Sequence, residues 1–147
     1  MDFADLDTLI SALYTAISGP EGGQDWELER RICHPDARMV RTRVDEDGKP
    51  LMWSFDTEGF IAATIPLLEG RAFYEVETDR KTFRFGNVAQ VFSAYEGREG
   101  GADGELLFKG MNMIHCFRDG ERWWIMHVIW DNEREGVKLP PAEWFDG

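Results

Sequence analysis

The stretch Trp123-Trp124-Ile125-Met126-His127-Val128-Ile129-Trp130 decides the fold. Successive side chains of a β-strand point to opposite faces. One face of this segment therefore carries Trp124, Met126, Val128 and Trp130, and the other Trp123, Ile125, His127 and Ile129. Both rows are apolar, as in a strand covered on two sides. The rest of the chain must then supply helices for one face of a sheet, and the other face needs a separate cover. A second copy of the chain, packed sheet to sheet as a symmetric homodimer, is the economical one.

Upstream of that strand the pattern stays extended back to Gly70. Long strands are predicted at about 71–85, 87–98, 105–117 and 121–132, parted by Gly86-Asn87, by Gly97 to Gly104 and by Arg118-Asp119-Gly120-Glu121. Connections this short make neighbours antiparallel. A shorter hairpin is expected from Ala37 to Val44 and Leu51 to Phe55, across the turn residues Asp45 to Pro50.

Helical spacing fills the remainder. Phe3, Leu6, Ile10, Leu13 and Ile17 recur at three and four residues, predicting an amphipathic helix from Asp2 to Ser18 that Gly19-Pro20 stops. Asp25 is a good N-cap for a second helix, with Glu27 and Glu29 where the positive helix end favours acids, and His34-Pro35 closes it. A third helix, capped by Asp56 or Thr57, runs through Phe60, Ile61, Thr64, Leu67 and Leu68 to Gly70, with a kink near Pro66. The expected fold class is α+β: a curved, mostly antiparallel sheet wrapped by three N-terminal helices. Residues 1–147 form one domain, with the tail 136–147, which holds Pro140-Pro141 and Trp144-Phe145, packing back on the body.

Composition narrows the function. Against 16 Lys and Arg stand 28 Asp and Glu, and a net charge of −12 repels phosphate backbones and anionic headgroups. Nucleic acid and membrane surfaces are excluded as partners on that ground. The first residues, Met-Asp-Phe-Ala-Asp-Leu-Asp, are acidic where a signal peptide is basic, so a cytoplasmic protein is expected. Cys33 and Cys116 have no motif spacing and are expected as reduced thiols. Six Trp and ten Phe provide rigid surface for lining a cavity or an interface.

Three segments carry a family likeness: His34-Pro35-Asp36-Ala37; Gly86-Asn87-Val88-Ala89-Gln90-Val91-Phe92-Ser93-Ala94-Tyr95-Glu96; and Gly110-Met111-Asn112 with Asp119-Gly120-Glu121-Arg122-Trp123-Trp124-Ile125. With the element order, they make residues from about 5 to 132 resemble the nuclear transport factor 2-like (cystatin-like cone) superfamily, and in particular its small bacterial members. The relation to ketosteroid isomerase and polyketide cyclase-like proteins is distant. The resemblance implies a cone with an apolar small-molecule pocket at its open end. It also implies that Met111, Met113 and His115, with Met126, Val128 and Trp130, lie on the concave side. Tyr14 matches the position of the isomerase branch's oxyanion-stabilising tyrosine. Arg41 stands where that branch has its carboxylate base, and Met113 where it has a protonated aspartic acid. A guanidinium is always protonated and cannot serve as that base.

Among these, His115 is the acid/base candidate, since imidazole titrates near neutral pH, with Tyr14 as its oxygen-polarising companion. Arg41 either holds the anionic group of a ligand with its planar fork or sits at the surface beside Arg38 and Arg43. Gln90 and Phe92 share a row that faces the cavity unless a bulge reverses the strand. Glu75, Glu77 and Asp79 alternate with Tyr74, Val76 and Thr78 and read as the wet face of a strand. Glu96, Arg98 and Asn112 read as a polar network. His34, His115 and His127 are scattered, so neither a metal nor a cofactor is expected.

Three functions fit these residues. The first is a homodimeric binder of apolar or aromatic small molecules, with Tyr14, Arg41, Gln90, Phe92, Met113, His115, Met126 and Trp130 as the ligand-contacting set. The second is a cofactor-free lyase, isomerase or hydrolase using His115 as acid/base. The third is a protein-interaction module whose aromatics serve an interface. The fold admits all three.

Overall fold

The computed structural model describes residues 1–146. Helix α1 (Leu6–Ile17) is capped by Asp5, whose carboxylate accepts from the Thr8 backbone N–H at 3.1 Å, and it buries Leu9, Ile10, Ala12, Tyr14 and Ala16. Phe3 lies before the helix, and its carbonyl accepts from the Trp123 N–H at 2.7 Å. Helix α2 (Trp26–Ile32) is capped by Asp25 and buries Leu28, Glu29 and Ile32. Strand β1 (Cys33–Val44) follows directly, so His34-Pro35 lies in a strand and not at a helix end. Pro35 falls where pairing with the neighbouring strand lapses, between Cys33 and Arg38, which suits a residue lacking an N–H.

Strand β2 (Pro50–Phe55) closes the hairpin with β1, and Asp56 then caps α3 (Thr57–Leu68), accepting from the Gly59 N–H at 2.7 Å. Pro66 lies inside α3. Four strands complete the chain's regular structure before a short 3-10 turn (Ala142–Phe145): β3 (Phe73–Phe85), β4 (Val88–Glu99), β5 (Glu105–Arg118) and β6 (Trp123–Asn132). The sheet has six strands in the order β2-β1-β6-β5-β4-β3. All neighbours are antiparallel except β1 and β6, which are parallel. The sheet is therefore mixed. Only α1 and α2 precede it, since α3 is inserted between β2 and β3, which corrects the expectation of three N-terminal helices.

One face of the sheet builds the core. Val91, Ile114, Cys116, Trp123, Ile125 and Val128 pack there with Leu9, Ile10, Leu28, Ile32, Phe60 and Ile61 of the helices. Part of the other face is covered by the C-terminal turn: Trp144 meets Phe92 edge-on at 5.5 Å, and Lys81 Nζ lies 4.7 Å from the Trp144 ring centre. Three bulges break the alternation. Thr78 in β3, Leu107 in β5 and Met126 in β6 are each skipped by the pairing register. No helix among the described residues is long and apolar enough to cross a membrane.

Candidate functional site

Between the helices and the inner face of the sheet lies a cavity of about 420 Å³. Leu13 and Ile17 of α1, Phe60 of α3, Phe73 of β3, Phe108 of β5 and Trp130 of β6 give it apolar walls. Phe60 and Trp130 meet edge-on at 5.9 Å. This size and lining are those of ordinary small-molecule sites.

Two carboxyl groups line the cavity. Glu29 is only 1% exposed, because it shares the buried arc of α2 with Leu28 and Ile32. Its Oε1 is 3.9 Å from the donating Cys33 thiol, and its Oε2 has no hydrogen-bond partner among the described residues. Burial, reinforced by the charge of Glu75, pushes Glu29 up to about 8. Glu75 is half-buried on β3 and lines the same cavity, and burial pushes it up to about 7 although the Asn112 amide works in the opposite sense.

Beside them a hydrogen-bond chain runs out of the cavity wall. Asn112 Nδ2 donates to Tyr14 Oη at 3.0 Å, and Ser93 Oγ donates to Glu77 Oε2 at 2.5 Å. The 2.5 Å contact between Tyr14 Oη and Ser93 Oγ is therefore a donation by tyrosine, whose single hydroxyl hydrogen is committed there. Glu77 is held in turn by Arg80 Nε at 2.9 Å. Tyr14 is buried behind the cavity wall, and burial raises its pKa further beyond reach. Tyr95 Oη similarly donates to Asn132 Oδ1 at 2.6 Å.

At the solvent side stand Arg41, Arg43 and Arg71, all lining the cavity. Arg41 is half-buried, donates to Thr64 Oγ1 at 3.3 Å and has its guanidinium 5.6 Å from the Phe55 ring centre. Arg43 lies 5.3 Å from the Trp53 ring centre. Among the described residues none of the three is ion-paired to a carboxylate. No group of His, Cys, Asp and Glu able to hold a metal occurs among the described residues.

The structure divides the residues singled out from the sequence. Arg41 and Trp130 line the cavity, and Tyr14 reaches it only through Asn112. Gln90, His115 and Met126 line a shallow depression on the opposite face of the sheet, with Phe83, Phe85, Val88 and Phe117. Phe92 lies on that opposite face under Trp144, and Met113, paired with Phe92 and Ile129, is exposed there. The expected placement of Gln90, Phe92, Met113, His115 and Met126 on the cavity side is corrected by register. Trp130 pairs with Asn112 and Val128 with Ile114, so the inward row of β5 is Asn112, Ile114 and Cys116, while the bulge at Met126 shifts β6 by one residue. His115 and His127 face each other on the outer side, ring centres 5.9 Å apart.

Sequence reasoning missed Glu29, Glu75 and the inward turn of Asn112. A signal existed for Glu29, which lies between Leu28 and Ile32 on the apolar arc, whereas Glu75 alternates with neighbours as any half-wet strand residue does.

No protein-family model and no curated protein matches the sequence. Solved structures do match. A protein of unknown function from Mycobacterium tuberculosis is 18% identical, over 88% of this chain and 70% of its own, with a TM-score of 0.66. An NTF2-like protein from Cytophaga hutchinsonii is 16% identical, over 87% of this chain and 95% of its own, with a TM-score of 0.65. A protein with a cystatin-like fold from Caulobacter vibrioides is 14% identical, over 88% and 87%, with a TM-score of 0.63. The chain has the α+β fold of the NTF2-like, cystatin-like superfamily.

Proposed function

We propose that the protein binds small apolar or aromatic molecules carrying one anionic group, with the body in the cavity and the anion at Arg41, Arg43 and Arg71. One observation carries this: three arginines without carboxylate partners among the described residues rim an apolar cavity in a chain whose net charge is −12. With acids in such excess, an unpaired cluster of this kind is an anion receptor, since a guanidinium offers a planar fork to a carboxylate. The binding unit is a homodimer in the cytoplasm, joined through the outer sheet face. His115 has no part in the cavity chemistry, because it lies across the sheet from it.

Thermal shift against a panel of alkanoic and arylalkanoic acids tests the function directly. A ligand at about a hundred times its Kd adds about 2.7 kcal/mol of stability, so binders raise the Tm visibly. Arg41→Met should reduce that rise and leave the Tm of the free protein nearly unchanged. A panel of apolar acids that leaves the Tm where it was would defeat the proposal.

A further inference from the structure

The buried end of the cavity has a hydrogen-bonding demand that the chain itself does not meet. Glu29 Oε2 is buried, lines the cavity and has no donor, and Oε1 has only the weak thiol donor of Cys33. Leaving such an oxygen unpaired is costly, because the hydrogen bonds it makes to water in the unfolded chain are not replaced. Glu75 adds a second carboxyl to the same space, close enough for its charge to act on Glu29. The titratable and polar groups around this pair are Cys33 of β1, Tyr14 of α1, Tyr95 of β4 and Asn112 of β5; the charge of Arg122 reaches Cys33, but no cation is among the groups acting on Glu29 or Glu75. The cations of the cavity stand toward solvent: Arg43 and Arg71 are exposed and Arg41 is half-buried, whereas Glu29 is fully enclosed. The cavity is therefore polarised along its length, acidic inside and basic at its rim.

Building on the apolar-anion function above, we propose that the natural ligands are dipolar: an apolar spacer with a protonated amine at Glu29 and Glu75 and a carboxylate at Arg41, Arg43 and Arg71. An ammonium brings three donors and a charge to two carboxyl groups at once. A hydroxyl or amide brings fewer donors and no charge. An amine without a carboxylate meets three unneutralised arginines, and an acid without an amine leaves Glu29 Oε2 unpaired. Binding is coupled to proton release. With Glu29 held up to about 8 and Glu75 to about 7, the empty pair retains a proton at neutral pH. The arriving ammonium keeps its own protons, and the carboxyl proton leaves to solvent.

The test is titration calorimetry at neutral pH with straight-chain ω-amino acids of graded length, the alkanoic acids of the same lengths and the corresponding alkylamines. Each titration is run in phosphate and in Tris, whose ionisation heats differ, so that the protons released are counted. The best ω-amino acid should bind at least about tenfold more tightly than its matched acid and its matched amine, the size expected of one charge-assisted hydrogen bond, and its binding should release protons whereas that of the matched acid should not. Glu29→Gln and, at the less buried position, Glu75→Gln should each abolish the advantage of the ω-amino acid over its matched acid. Should acids bind while the amine adds no affinity, or adds it without proton release, the dipolar assignment is overturned and the apolar-anion function stands. Should neither series bind, both are overturned.

Discussion

Glu29 is the residue on which the physics of this site turns. A carboxyl whose folded-state pKa lies above its unfolded value binds its proton more tightly when folded, so its contribution to stability is complete below the unfolded value and is lost as pH rises through the folded one. For Glu29 that window runs from about 4.5 to about 8, and Glu75 acts in the same sense up to about 7. The carboxylates with lowered values, Asp5, Glu58 and Asp119, have finished acting by the bottom of that window. His127, lowered by burial, works oppositely but near and below 6.5. The free protein should thus lose stability between about pH 6 and about pH 9. Glu29→Gln, which mimics the protonated side chain, should match wild type at the lower pH and melt higher than wild type at the upper one. Equal pH slopes for the two proteins, measured by scanning fluorimetry, would show that Glu29 is not the group being titrated.

At the scale of elements, the helices and the long strands along the chain were legible because apolar spacing, caps and turn residues repeat over many positions: Asp25 caps α2 as its context predicts, and of the two candidates Asp56 and Thr57 it is Asp56 that caps α3. The site was less legible because facing depends on parity, and one extra residue inverts it. The skipped Met126 moves Val128 and Trp130 onto the face of Trp123 and Ile125, and no property of Met126 itself announces a bulge. The family resemblance puts Trp130 at the cavity and the sequence holds Arg41 open between cavity and surface, whereas the pairing of Asn112 with Trp130 is not readable, since β5 carries apolar residues on both rows. On β5 a glycine, Gly110, stands between its ladder partners Tyr95 of β4 and Asn132 of β6. A Cβ on Gly110 would lie 2.3 Å from Asn132 Oδ1, 2.4 Å from Tyr95 Oη and 2.6 Å from the Asp131 carbonyl, the last of which is backbone and cannot step aside. Gly110→Ala should therefore destabilise by about 1–3 kcal/mol through overpacking and break the Tyr95–Asn132 hydrogen bond in the cavity wall. Gly101→Ala, in open space, should change stability by less than about 0.5 kcal/mol. Urea denaturation midpoints that coincide for the two variants would contradict this account of the wall.

For the whole molecule, the proposed function gives the two faces of the sheet separate tasks, and that separation can be tested. The inner face holds the cavity, and the outer face, beyond the strip that Trp144 covers, leaves Phe85 87% and Val88 55% exposed, with Phe117 next to Val88 in the ladder. Contiguous apolar surface of this kind marks an association site, and a self-complementary patch on a twofold axis gives a closed dimer and not a chain of copies. In the proposed dimer each protomer would bring a net charge of −12 to that contact. Apolar burial must then outweigh repulsion between like charges, which salt screens over about 10 Å at 0.1 M ionic strength. Light scattering at micromolar protein should give twice the protomer mass, and the dimer should dissociate more readily as salt is lowered. Phe85→Lys with Phe117→Lys adds charge to the patch without touching the cavity, so the double variant should run as a monomer that still binds cavity ligands. A wild-type protein that scatters as a monomer at micromolar concentration and moderate salt would leave the outer face without its partner, and a double variant that stays dimeric would place the contact elsewhere on the molecule.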